Sequence, residues 1–188
     1  MDLSALLHPL PEVTRRKRFK ASRIFTVEEM DLKFSNGTLA TYEKIVGGRG
    51  AVMAVPFDGQ YFYLSVEYAG GLESYQLGLV KGKVDSGETP EQAVVRELSE
   101  EISFSARKVT PLKLGMTVAP GMLELTMYVY LCEDLYPCKQ EGDEPEPIEI
   151  VKVTVQELKE LLFSEDSPLK EARSIVALTL AMHKIGAL

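Results

Sequence analysis

Residues 22–34 and 39–46 are rich in β-favouring side chains and flank Ser35-Asn36-Gly37-Thr38, where Asn-Gly supplies the positive φ angles of a tight hairpin turn. The pattern predicts a small antiparallel β appendage at the N-terminal side. Gly47-Gly48-Arg49-Gly50 then reads as a hinge, and a second hairpin follows, with strands at 51–56 and 60–68 around Asp58-Gly59. The division this implies is a β segment over residues 1–47 and a main domain over residues 48–188.

A short strand over 75–80 runs into a glycine-bearing loop, after which Thr89-Pro90-Glu91-Gln92 opens a helix. Thr89 is placed to cap, Pro90 takes the first helical position, where its missing N–H costs nothing, and Gln92 completes a capping box. Val94, Leu98 and Ile102 recur every four residues, the spacing of one helical face, and form its buried stripe. Further strands are predicted at 107–118, 122–133 and 148–153, and Thr154-Val155-Gln156-Glu157 caps a short helix ending near Phe163. A last helix is predicted from Ser167-Pro168 to Gly186, apolar nearly all round over 175–182 and therefore buried against the sheet or a partner chain. Strands interleaved with helices make this an α/β chain without internal repeats.

Composition narrows the class. Of 188 residues, 45% are hydrophobic and 26% charged, which favours neither a disordered nor a fibrous class. The net charge of -7 argues against a general nucleic-acid binder, which needs a basic face to displace counterions from phosphates. A polyanionic ligand would need a local cation. The basic run Arg15-Arg16-Lys17-Arg18 reads as solvated or locally paired surface rather than as an RNA or membrane contact. Cys132 and Cys138 are too few, and too poorly spaced with His8 and His183, for a zinc site or a disulfide framework, and read as reduced thiols. Residues 1–11 carry no long apolar run behind a basic start, and no stretch reaches the roughly 18 apolar residues of a membrane span. These readings place the protein in the cytoplasm, with neither nucleic acid nor membrane as a partner.

The chemistry sits between Gly82 and Phe104, which reads GKVDSGETPEQAVVRELSEEISF: Gly82, five residues, Glu88, seven residues, then Arg96-Glu97-Leu98-Ser99-Glu100-Glu101. At about 100° per residue, Glu97 and Glu101 share one helical stripe with Glu100 beside them, and the preceding loop delivers Glu88. Two carboxylates about 5 Å apart repel by roughly 3 kcal/mol at an effective dielectric near 20, so the cluster costs stability unless a cation or arginine offsets it. All-oxygen hard donors point to Mg²⁺ or Mn²⁺, ions that also bind substrate phosphates. The alternative is a solvated, salt-bridged helix face. Against it, Glu97 and Glu101 border the Val94/Leu98 stripe and should line a groove at the edge of the core.

This stretch resembles the Nudix box, departing from it only at Ser103, where the family usually has glycine. RIFTVEEMDLKFSNG, EYAGGLESYQLGLVKG and DLYPCKQEGDEPEPI extend the resemblance over most of the chain, toward the ADP-ribose pyrophosphatase branch. The resemblance implies a Nudix α/β/α sandwich around a mixed sheet, and a homodimer in which the N-terminal β segment helps build the partner's adenosine site. It implies Glu97 and Glu101 as the main metal ligands with Glu100 sharing a cation, Arg96 holding the carboxylates, and Glu88 bracing the loop or adding a ligand. The implied substrate is a nucleoside diphosphate linked to another group, such as ADP-ribose, NADH or a diadenosine polyphosphate, cut at the pyrophosphate to release AMP.

In that branch the general base usually comes from the loop before the last sheet strand, here Glu141-Gly142-Asp143-Glu144-Pro145-Glu146-Pro147, which points to Glu144 or Glu146. The alternative for this segment is a solvated loop stiffened by prolines. Lys81 stands to touch phosphate, and Arg49, Glu67 and Tyr68 to contact adenosine or a second subunit; each also has a purely structural reading. Related enzymes often carry Glu-x-Pro-Ala before the box glycine, where this chain has Gln76-Leu77-Gly78-Leu79-Val80-Lys81, and Ala69 stands where an arginine is common. A rival reading is a Nudix-fold module that binds a nucleotide without cutting it.

Overall fold

The computed structural model describes residues 7–188; the first six, part of the N-terminal stretch read as neither leader nor anchor, lie outside the described residues. The chain divides into two compact units. The first runs up to Gly48 and takes in Ala119–Leu125; the second comprises Arg49–Val118 and Thr126–Leu188.

The first unit is an antiparallel sheet in the order β1 (Glu12–Lys20), β2 (Thr26–Lys33), β3 (Leu39–Ile45). The basic run 15–18 lies within β1, a strand absent from the sequence reading because all nine of its residues are exposed and no apolar alternation marks it. Charge pairs it to β2. Arg15 reaches Glu29 and Asp31 at 2.5 Å each, and Arg16 and Arg18 both grip Glu28, whose side chain is only 1% exposed. The turn after β2 uses one positive φ rather than two: Gly37 adopts 86°, while the Asn36 side chain accepts the Thr38 N–H at 3.0 Å.

Residues 122–125, expected in a strand of the main domain, belong to this first unit. The Ile45 N–H donates to the Met122 carbonyl at 2.8 Å, and the Glu124 N–H returns to the Ile45 carbonyl at 3.0 Å. Gly47, read as a hinge, is there for a tighter reason: a Cβ on it would stand 1.4 Å from the Glu124 carbonyl oxygen.

The second unit contains a mixed sheet in the order β7 (Lys81–Lys83), β4 (Ala51–Pro56), β9 (Thr126–Pro137), β8 (Phe104–Thr117), in which only β4 and β9 run parallel. A second, antiparallel sheet has the order β10 (Glu149–Thr154), β5 (Tyr61–Ala69), β6 (Ser74–Gly78). Helices α1 (Pro90–Glu101), α2 (Val155–Phe163) and α3 (Ala172–Lys184) complete it. Strand alternation decides what each face of the mixed sheet meets. Val52, Ala54, Tyr130 and Cys132 pack with Val94 and Leu98 of α1, while Met53, Val55, Val129 and Leu131 pack with Leu158 of α2 and Leu178 and Met182 of α3. This is the expected α/β arrangement, with helices on both faces of a mixed sheet.

The last helix begins later than its sequence suggested. Ser167 makes a local turn by accepting the Leu169 N–H at 3.1 Å, and Glu171 caps α3 by accepting the Ser174 N–H at 2.7 Å. Cys132 is buried and Cys138 half-buried, and both are free thiols. Among the described residues no helix is long and apolar enough to cross a membrane.

Candidate metal centre

Helix α1 is set by its ends. Thr89 accepts the Gln92 N–H, the Gln92 side chain accepts the Thr89 N–H, and Pro90 starts the first turn. With Ala93, Val94 and Leu98 packed against the sheet, the 3.6-residue period brings Glu97 and Glu101 to the margin of that contact, where each residue is only 8% exposed. Strand β7 runs alongside. Gly82 allows this approach, since a Cβ there would stand 1.9 Å from Glu97 Oε1.

Arg96 is the hub. Its Nε and Nη2 donate to the two oxygens of Glu88 at 3.1 and 2.8 Å, its Nη1 to Glu97 Oε1 at 2.9 Å and Glu100 Oε2 at 2.8 Å, and its Nη2 also to the Lys83 carbonyl at 2.9 Å. The guanidinium holds the Glu88 carboxyl below its ordinary range, and Glu88 Oε1 in turn accepts the Asp85 N–H at 2.7 Å, closing the loop. Glu97 moves the other way: burial lifts its pKa despite Arg96, with Glu100 and Glu144 adding repulsion.

Glu101 has no such support. Its Oε1 accepts a long 3.3 Å bond from the Lys81 N–H, and its Oε2 is buried without any hydrogen-bond partner. Burial, reinforced by the negative charge of Glu67, pushes its pKa up to about 9. Lys81 is committed to Glu67, Nζ to Oε2 at 2.7 Å, and Glu67 Oε1 accepts from Ser65 Oγ at 2.8 Å.

As the side chains stand, no three acidic, histidine or cysteine groups among the described residues converge on one point, because Arg96 lies among Glu88, Glu97 and Glu100. The donor set nonetheless fits a hard divalent cation. Every donor is a carboxylate oxygen, and an orphaned buried oxygen beside a desolvated carboxylate is what a cation would relieve.

Two cavities flank this helix face. One of about 490 Å³ lies between β7, Glu97, Glu100 and the loop residues 141–144; the other, of about 470 Å³, lies between the C-terminal end of α1 and residues 139–148. Glu144 lines both. Glu146 lines the second and is bonded to Tyr75. Glu67, Tyr68 and Lys81 line a third cavity with Lys170 and Arg173, whereas Arg49 is exposed before β4 and lines neither acidic cavity. The structure thus gathers Glu88, Arg96, Glu97, Glu100, Glu101 and Glu144, sets Glu67, Tyr68 and Lys81 next door, and leaves Arg49 apart. Sequence reading missed Tyr75 and Gly142, whose roles depend on contacts with residues distant in sequence or on another element.

Comparison with known proteins gives concordant relatives. Residues 48–173 match the model of the NUDIX domain, and residues 11–44 that of the NudE-type Nudix hydrolase N-terminal domain. The chain is 42% identical to "ADP compounds hydrolase NudE" of Escherichia coli (strain K12), over 90% of each chain, and 28% identical to "ADP-ribose pyrophosphatase" of Bacillus subtilis (strain 168), over 80% of this chain and 82% of that one. A solved structure described as "Crystal structure of ADP compounds hydrolase" superposes with a TM-score of 0.89 at 39% identity, covering 97% of this chain and 99% of the other.

Proposed function

The chain belongs to the Nudix hydrolase family, and from that premise we propose that it hydrolyses the pyrophosphate of ADP-linked compounds with Mg²⁺ or Mn²⁺, releasing AMP. The observation that carries the metal part of this reading is the unpartnered, buried Glu101 Oε2 beside Glu97. The names of the relatives support the substrate class.

Glu97 and Glu101 would hold the cation, with Glu100 and Glu88 completing the acidic set. When bound, the cation supplies positive charge against the phosphate oxygens and acidifies the attacking water. Arg96 keeps Glu88, Glu97 and Glu100 in register through its four carboxylate bonds. Lys81, at the junction of the metal centre and the third cavity, meets a phosphate of the substrate. Glu144 takes the proton of the water that attacks phosphorus, and the bridging oxygen leaves with the other phosphate. Glu67 and Tyr68 contact the group beyond the pyrophosphate. Arg49 is assigned to adenosine or to a second subunit, within a cytoplasmic homodimer that the N-terminal sheet helps form. Phe19, Phe25, Leu39 and Tyr42 on that unit are exposed by 40–72%, apolar surface available for such a contact.

Assay with Mg²⁺ or Mn²⁺ against ADP-ribose, NADH, diadenosine triphosphate and nucleoside triphosphates tests the reading. ADP-linked compounds should be cut with AMP appearing in the products, and triphosphates poorly. Binding of any of these without cleavage would establish a nucleotide sensor instead.

A further inference from the structure

We propose that Tyr75 is a positioning residue for the hydrolytic site: its phenol, through Glu146, latches the acidic loop so that Glu144 stays over the box helix. This rests on the reading of Glu144 as the base.

The loop over 138–148 is secured at its start by backbone bonds to the C-terminal end of the box helix. The Cys138 N–H donates to the Ser103 carbonyl at 3.0 Å and the Gln140 N–H to the Ser99 carbonyl at 3.1 Å. Its far end is held from β6, where Tyr75 Oη donates to Glu146 Oε1 at 2.6 Å across 71 residues of sequence. The phenol is aimed by its cross-strand neighbour Tyr68, edge-on with ring centroids 5.7 Å apart. The Glu146 carboxylate also raises the phenol above its ordinary value, so it remains a donor through neutral pH.

Between these anchors the loop lies close against α1. A Cβ on Gly142 would stand 3.3 Å from Glu100 Cβ and 2.2 Å from Glu144 Oε2. Glu146 accepts from Tyr75 through Oε1 and lines only the cavity at the C-terminal end of α1, whereas Glu144 also lines the cavity shared with Glu97 and Glu100. The two glutamates, equivalent by sequence, thereby separate into a latch and a free carboxylate.

Steady-state kinetics on Tyr75→Phe, Glu146→Ala and Glu146→Gln with Mn²⁺ and ADP-ribose, joined to amide hydrogen exchange over 141–148, test this. Tyr75→Phe and Glu146→Ala should each lower kcat about three- to tenfold, the size of one exposed hydrogen bond, with KM changed less than twofold. The double variant should be no worse than either single one. Glu146→Gln keeps an oxygen acceptor and should lose no more than about threefold. Loop amides should exchange faster in Tyr75→Phe and in Glu146→Ala. Loss of more than about a hundredfold in Glu146→Gln would make Glu146 the base and overturn the latch, as would wild-type kinetics and exchange in Tyr75→Phe. Glu144→Gln at full turnover with the loop exchange still altered in Tyr75→Phe would overturn the base assignment and leave the latch standing.

Discussion

Glu101, proposed above as a metal ligand, is where metal binding and stability would meet. Its folded pKa of about 9 lies above its ordinary 4.5, so its charged form is disfavoured in the fold. The metal-free protein is therefore most stable below about pH 4.5 as far as this group is concerned, and loses that contribution as pH rises toward about 9. Thermal melts in EDTA should show Tm falling between pH 6 and 9, with Mn²⁺ removing most of the slope. Glu101→Gln should stabilise the metal-free protein at pH 8 by about 1–3 kcal/mol, seen as a raised Tm, while abolishing turnover and the Mn²⁺ response. A lowered Tm for that variant would mean the carboxylate is structural. Gly82→Ala belongs to the same scale: the added methyl meets Glu97 1.9 Å away, so either β7 or the carboxylate must shift. Activity should drop at least a hundredfold while the circular dichroism of the fold is retained.

At the scale of elements, α1 was legible because its signals are local: Thr89, Pro90 and Gln92 lie within one turn, and Val94 and Leu98 repeat at helical spacing. Its end carries strain instead. Ser103 sits at φ 59°, the left-handed region that glycine occupies without cost. Ser103→Gly should stabilise the protein by roughly 0.5–1 kcal/mol, measured by urea unfolding, with kcat unchanged within twofold. Strand β1 escaped prediction because Arg15, Arg16 and Arg18 find their partners on β2 and no residue of β1 is buried. The start of α3 was misplaced because Ser167 and Glu171 both offer a capping oxygen, and only the packing of α3 on the sheet selects the second. The acidic box was readable for the reason α1 was. The Tyr75–Glu146 bond was not, because the two residues meet only after β6 and the loop before β10 have been placed.

For the molecule as a whole, the net charge of -7 sets how an anionic substrate arrives. Like charges slow encounter, and salt screens them within about 8–10 Å at physiological strength. Raising KCl from 10 to 150 mM at saturating Mg²⁺ should therefore increase kcat/KM for an ADP-linked substrate by roughly two- to threefold while leaving kcat alone. A decrease would point to a local basic entry path stronger than the global field.

The pairing of Ile45 with Met122 and Glu124 also bears on synthesis. The N-terminal unit is translated first, yet one of its backbone partners follows some 75 residues later, after β4 to β8 have emerged. Once β3 has left the ribosome, its Ile45 N–H and carbonyl stay open until Leu125 clears the exit tunnel. Vectorial production thus leaves the first-made part of this protein to be finished late, and a gene cut at Gly48 would separate two pieces of which neither is whole.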